Sequence, residues 1–213
     1  IQEGCDQVCA YCIVPKVRGR ERSVPQDELV YEIGRHAANG CKEVVLTGTQ
    51  LGSYGFDLPD TDLRRLIGII LDRTEVGRVR ISSLQPQDVG PELLDLWSDG
   101  RLCPHFHLPL QSGSDSVLRR MRRRYGAEQY FDAVDMVRSR VPDVSITTDV
   151  MVGFPGESEA EFQETLALCK RTGFGAMHVF PYSIRPGTSA AYLDEQVDGT
   201  EKRERTGEML ELA

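Results

Sequence analysis

Apolar, β-branched runs alternate with amphipathic segments along almost the whole chain, and this alternation restricts the fold more than any other feature. EVVLTG (43–48), RVRISSL (78–84), HFHLPL (105–110), VSITTDVMV (144–152) and AMHVFPY (176–182) each read as a buried strand. Helices lie between them. Pro25 sits where a first turn tolerates it, Leu29, Val30, Ile33 and Ala37 share a face, and Gly40 stops the segment. Asp62 precedes Leu63, Leu66, Ile67, Ile70 and Leu71, and a short third helix runs from Val89 to Trp97. A longer fourth connection runs from Ser114 to Val141. A fifth helix opens on a capping box, Ser158 with Glu161, and puts Phe162, Leu166 and Cys169 on one face. Strand–helix alternation of this kind means parallel strands joined by right-handed crossovers. With a first strand cut just before Ile1, the pattern predicts an α/β fold, a partial (β/α)6 TIM-like barrel. The chemistry of such folds sits in the loops at the carboxyl ends of the strands.

A chain of 213 residues and 23.8 kDa is long enough for one large core. It starts at Ile1 and ends at Ala213 inside a predicted helix, so it reads as a piece of a longer protein. The expected division is a core domain over 1–195 and a helical connector over 196–213, leading toward a further domain. No apolar run matches a membrane span and no signal peptide is evident, which predicts a cytoplasmic protein with no membrane partner. The net charge of −8 and pI near 5.1 argue against a surface that grips nucleic acid everywhere. Two runs break the acidic background, KVRGRER (16–22) and RRMRRR (119–124). Each reads first as a solvated face.

Cys5, Cys9 and Cys12 crowd into eight residues near the start. A disulfide pairs two thiols, and a closed structural zinc site takes four ligands. Three thiolates from one loop suit three irons of a [4Fe–4S] cluster and leave the fourth open for a cofactor or substrate. A zinc site completed by a histidine such as His105 is the alternative. Cys41, Cys103 and Cys169 are dispersed in helix and strand patterns and read as small hydrophobes. His105 and His107 share a strand face, where either a lining or a core role is open. The other strand-end loops are small and polar: Thr47 to Gln50, Ser82–Ser83, Gln111 to Asp115, TTDVMVGFPGE and FPYSIRPGT.

The C-x3-C-x2-C string after a first barrel strand resembles the signature of the radical S-adenosylmethionine (SAM) enzymes. EGCDQVCAYCIVPKVRGRERS, EVVLTGTQLGSYG, HLPLQSGSDSVLRRMRRRY, DVMVGFPGE and FPYSIRPGT together resemble the methylthiotransferase family, in order and over nearly the whole chain. LTGTQLGSYG and RLCPHFHLPLQSGSDSVLRRMRRRY are most similar to the branch that adds a methylthio group to C2 of N6-threonylcarbamoyladenosine at position 37 of tRNA. Branches acting on isopentenyladenosine tRNA or on a ribosomal protein are alternatives, as is a non-catalytic iron–sulfur or zinc module.

The resemblance implies a transferase with a barrel of the radical SAM type and a [4Fe–4S] cluster held by Cys5, Cys9 and Cys12. SAM would chelate the open iron and be cleaved by one electron, and the resulting 5′-deoxyadenosyl radical would take hydrogen from the adenine. Thr47, Gly48, Thr49 and Gln50 occupy the place of the motif that contacts the methionine amino group. The usual acidic residue is missing there, so Thr49, Gln50 or backbone carbonyls would serve. Ser83, Gln111 and Asp149 are candidates for the carboxylate, ribose and adenine edges of SAM, although Asp149 reads equally as a barrel-lining hydrogen-bond partner. Arg18, Arg20 and Arg185 lie in mouth loops and would meet tRNA or the threonylcarbamoyl carboxylate, which an arginine binds with two hydrogen bonds. The family also implies an amino-terminal domain with a second [4Fe–4S] cluster, a carboxyl-terminal RNA-binding domain, and an electron donor such as flavodoxin or ferredoxin. Without those parts the chain is expected to cleave SAM slowly, to leave tRNA unmodified and to bind it weakly.

Overall fold

The computed structural model describes all 213 residues. The first strand is not lost before Ile1 as the sequence suggested. β1 (Gln2–Glu3) stands in that place, backed by the antiparallel β2 (Arg22–Ser23), a pairing with no periodic signal in the sequence. Five further strands follow: β3 (Glu43–Leu46), β4 (Arg78–Ile81), β5 (His105–His107), β6 (Ser145–Val152) and β7 (Ala176–Pro181). β1, β3, β4, β5, β6 and β7 run parallel in that spatial order. The Gln2–Gly48 bridge joins β1 to β3, and the Ser83–His107 bridge extends the contact between β4 and β5. β7 pairs only with β6, so the curved sheet stays open, as expected for a partial barrel.

A short helix, α1 (Val14–Val17), follows the cysteine loop at the barrel mouth, and helices cover the outer face: α2 (Gln26–Ala38), α3 (Leu63–Arg73), α4 (Pro91–Leu94), α5 (Asp115–Arg120), α6 (Ala127–Arg140), α7 (Glu159–Thr172) and α8 (Gly199–Leu210). Asp62 caps α3 by accepting from Arg65 N at 2.7 Å. Ser158 and Glu161 form the expected box on α7, and Gly173, at φ +62°, ends that helix. Alternation along β6 divides the molecule. Ile146, Thr148, Val150 and Val152 are buried under the helices, whereas Thr147, Asp149 and Met151 face the barrel interior. Leu66, Ile67 and Ile70 of α3 and Val134 and Val137 of α6 are fully buried in the outer core. Each contributes about 1.5–3 kcal/mol by leaving water.

Two other elements differ from expectation. The fourth connection is two helices, because α5 ends in a Schellman motif: Arg122 N bonds Arg119 O (3.0 Å) and Arg123 N bonds Leu118 O (2.9 Å). Arg122 takes the left-handed position of that motif, at φ +59°, where glycine is the usual residue. The tail helix α8 packs into the same core, with Met209 fully buried. Arg205 on α8 pairs with Glu157 at 3.0 Å, their side chains 3% and 1% exposed. Gly153 N also donates to that carboxylate (2.5 Å), and burial pushes the Glu157 carboxyl above its ordinary range.

Candidate active site

The cysteine loop hangs from the end of β1 and is tied at several points. Gly4 turns the chain at φ +73°, and a Cβ there would lie 2.0 Å from the Arg20 carbonyl oxygen, so only glycine fits. Cys5 N donates to Gly19 O (3.2 Å), and Arg20 forks onto Asp6 (2.9 and 2.8 Å). Between Cys9 and Cys12, Ala10 is buried in a small apolar cluster with Met121, Phe154, Tyr182 and Ala190. Its N–H donates to Met121 O (2.9 Å), and its carbonyl accepts from Ala190 N (2.8 Å).

The loop walls a cavity of about 190 Å³. Cys5, Cys9 and Cys12 line it together with Thr49, Gln50, Ser83 and Gln111. A neighbouring cavity of about 350 Å³ shares Tyr11, Cys12 and Gln111 with the first and adds Asp149 and Arg185. All three thiols are free, and no three His, Cys, Asp or Glu side chains come close enough to hold a single ion. With Zn–S near 2.3 Å, tetrahedral zinc ligands lie within about 4 Å of one another, a closer grouping than the three thiols show here. His105, the suggested fourth zinc ligand, bonds Thr147 Oγ1 through Nε2 (3.2 Å) inside the barrel.

Three thiols spread around a cavity fit a polynuclear cluster instead. Thr49 Oγ1 is buried without a partner at the same cavity. A hydroxyl left so costs about 1–3 kcal/mol, which a polar ligand group at that point would recover. Burial pushes the Cys5 thiol up to about 11, so iron uptake there displaces a proton. The residues present fit a cluster and a polar cofactor.

Not every expected residue reaches the cavities. Thr47 and Gly48 meet β1 through their backbone: Thr47 O accepts from Ile1 N (2.9 Å), and Gly48 bridges Gln2. Arg20 is committed to Asp6 and lines an outer groove, and Arg18 is exposed beside neither cavity. Asp149 Oδ2 lies 3.3 Å from His107 Nε2, and Thr147 Oγ1 connects His107 (2.9 Å) to His105 (3.2 Å). A chain of hydrogen-bonding groups thus lines the barrel interior, consistent with the lining reading of Asp149.

Arg123 was missed. Within RRMRRR it read as a solvated face, yet it turns into the cavity and donates to Gln85 Oε1 (3.2 Å), Cys9 Sγ (3.4 Å) and Tyr11 OH (3.4 Å). Its Nε bonds Tyr125 OH (3.1 Å). The available signal was Tyr125-Gly126, a turn that ends the helical pattern and frees Arg123 from its face. Gln111 adopts φ +67°, a conformation its sequence context does not announce. In that geometry Gln111 N donates to Asp149 O (2.8 Å) while the Gln111 carbonyl accepts from Met151 N (2.8 Å).

The chain is thus an open parallel barrel with three free thiols at a strand-end cavity. Coproporphyrinogen III oxidase (HemN) from Escherichia coli, a radical SAM enzyme, superposes over 98% of this chain and 50% of its own with a TM-score of 0.71 at 18% identity, which establishes a shared fold. The model described as "Radical SAM superfamily" matches residues 1–169, and the chain belongs to that superfamily, which uses a [4Fe–4S] cluster and SAM. The chain is 43% identical to tRNA-2-methylthio-N(6)-dimethylallyladenosine synthase of Thermoanaerobacter sp. (strain X514), over 98% of its own length and 45% of that relative. It is 40% identical to threonylcarbamoyladenosine tRNA methylthiotransferase MtaB of Bacillus subtilis (strain 168), over 100% of its length and 48% of the relative. It thus spans about half the length of these curated relatives. No helix is long and apolar enough to cross a membrane.

Proposed function

We propose that the chain is the radical SAM core of a tRNA methylthiotransferase that modifies C2 of N6-threonylcarbamoyladenosine at position 37. The gathering of Cys5, Cys9 and Cys12 around one cavity with the unpartnered Thr49 hydroxyl carries the reading. Cluster and SAM, when bound, supply one-electron cleavage of a carbon–sulfur bond. The protein's residues do the rest. The three thiols hold the cluster, and Thr49 and Gln50 offer polar atoms to the methionine end. Arg123 presents a guanidinium that suits a carboxylate, and Ser83, Gln111 and Asp149 provide hydrogen-bonding edges for the nucleoside half. Leu84, Pro109 and Tyr11 keep the cavity wall from water.

Relatives of both tRNA specificities match at nearly the same identity. The choice between them rests on Arg185. It lines the outer cavity beside Asp149 and makes no ion pair, so it is free to fork onto the carboxylate of a threonylcarbamoyl group. An isopentenyl group would leave that charge without a partner. The test reconstitutes the protein anaerobically with iron and sulfide, adds dithionite and SAM, and compares tRNAs carrying each adenosine modification. 5′-Deoxyadenosine should form and should vanish in Cys5→Ala, Cys9→Ala or Cys12→Ala. Affinity should favour the threonylcarbamoyl tRNA, and Arg185→Gln should erase that preference. Equal binding of both tRNAs by wild type would sink the substrate assignment.

A further inference from the structure

We propose that a groove on the barrel rim, next to the cofactor pocket, binds the phosphodiester backbone of the RNA. The site presupposes the RNA substrate proposed above and adds where its backbone lies. The groove has a volume of about 660 Å³, and Arg119, Arg123, Arg124 and the start of α6 form its walls. Arg123 lines this groove and the cysteine-lined cavity alike, so a single side chain separates them.

Charge sets this surface apart. In a chain of net −8, many arginines elsewhere are neutralised, Arg73 by Asp27, Arg140 by Asp95, Arg171 by Glu128 and Arg205 by Glu157, and the unpaired ones, such as Arg138 and Arg203, stand far apart in the sequence. Between 119 and 124 only Arg120 is in an ion pair, with Glu161. Arg119 and Arg124, which line the groove, and Arg122, on the turn between them but outside the lining, are exposed and in no ion pair. The two acids at the groove do not outweigh them. Glu128 is taken by Arg171, and Asp115, whose Oδ1 accepts from Ala127 N (2.7 Å), keeps its charge as a single carboxylate against Arg119, Arg123 and Arg124.

The backbone adds a second, independent sign. Arg122 holds the left-handed position of the Schellman turn, which glycine fills without steric cost. A costly residue in such a position points to a use for its side chain. Unpaired guanidiniums around an open groove match phosphate oxygens in geometry and charge. The groove lies after β5, on the same end of the barrel as the cavity. An RNA lying there would present one extruded base to the pocket while its phosphates meet the arginines.

The test uses fluorescence anisotropy with a labelled anticodon stem-loop over a salt series, on wild type and three variants. Arg119→Gln/Arg122→Gln/Arg124→Gln should weaken binding about tenfold and flatten the slope of log affinity against log salt by about 2. Replacing the same three by lysine should preserve both, since charge is kept. Arg138→Gln/Arg203→Gln, removing unpaired arginines elsewhere, should change neither. RNA-independent formation of 5′-deoxyadenosine should be unaffected by the triple glutamine variant. If wild type binds RNA and that variant binds equally well, the groove assignment is overturned and the RNA reading stands. If wild type binds no RNA, the substrate reading fails as well. Displacement of RNA by pyrophosphate at matched phosphate concentration, or by polyglutamate, would show a small-anion or acidic-peptide site instead and overturn the assignment.

Discussion

The two faces of the same strands are built on opposite terms. On the outer face, β6 and its neighbours bury Ile146, Val150 and Val152 under helices, and nearby charges are matched: Arg205 with Glu157, and Arg120 with Glu161. On the inner face Val45 is 49% exposed and Phe180 50% exposed, Arg78 and Arg80 share the one carboxylate of Glu43, His105 Nδ1 has no partner, and Asp149 meets only a histidine. Successive side chains on a strand point to opposite sides, so eight residues of β6 serve both faces. Stability is concentrated outside, which leaves the inside free to carry polar groups without partners. Such groups cost stability and are kept where a ligand will satisfy them.

That contrast can be broken most severely at Arg205. Arg205→Ala should leave the Glu157 carboxylate buried and uncompensated and destabilise the fold by about 3–5 kcal/mol, measured by urea unfolding. A loss under about 1 kcal/mol would mean that α8 adds little to the outer core. Acid tests the second pair. Arg120 forks onto Glu161 and holds its carboxyl down to about 2, against 4.5 ordinarily. The unfolded chain takes up that proton near pH 4.5 and the folded chain near 2. The pair's contribution is therefore complete above pH 4.5 and fades as pH falls toward 2. Its size is about 2 kcal/mol after allowance for partial exposure. Glu161→Gln should flatten the acid limb of a stability–pH profile across that window. Glu157, whose carboxyl is pushed up, acts in the opposite sense and is unchanged in that variant.

The smallest stability effect belongs to the inner face. His107→Gln and Asp149→Asn should each shift stability by less than about 1 kcal/mol, since both side chains are partly solvated. Asp149→Asn should nonetheless weaken SAM binding, read by isothermal titration of the reconstituted protein. A fold-breaking Asp149→Asn would move that residue to the structural side of the comparison.

The outer half of the design was legible in the sequence because burial writes a period. Strand runs, the Asp62 cap and the Ser158–Glu161 box are local patterns, and each falls within a few residues of its observed element. The inner half was partly legible. The cysteine spacing and the polar strand ends named residues that the fold brings to one cavity. Arg123, Tyr11 and Gln85 did not stand out, since their meeting depends on a turn at Arg122 and on chain segments far apart in sequence. Thr47 and Gly48 seemed alike to Thr49 in sequence, yet the strand end sends only Thr49 and Gln50 to the cavity. A short hairpin strand of two residues, β2, lies below the length at which any periodicity can register.

The anchoring of Ala10 has a consequence for how this chain tolerates changes of length. Surface loops generally accept insertions, because their ends alone are fixed. Here the residue between Cys9 and Cys12 is gripped by a carbonyl at the end of α5 and by an amide at 190. One residue gained or lost in 121–126, or in 183–190, would shift that grip by about one Cα spacing, roughly 3.8 Å. Either change would move thiols more than 100 positions away in the sequence. Those two loops are therefore gauges of the cysteine loop, and their lengths should be the least variable in the molecule.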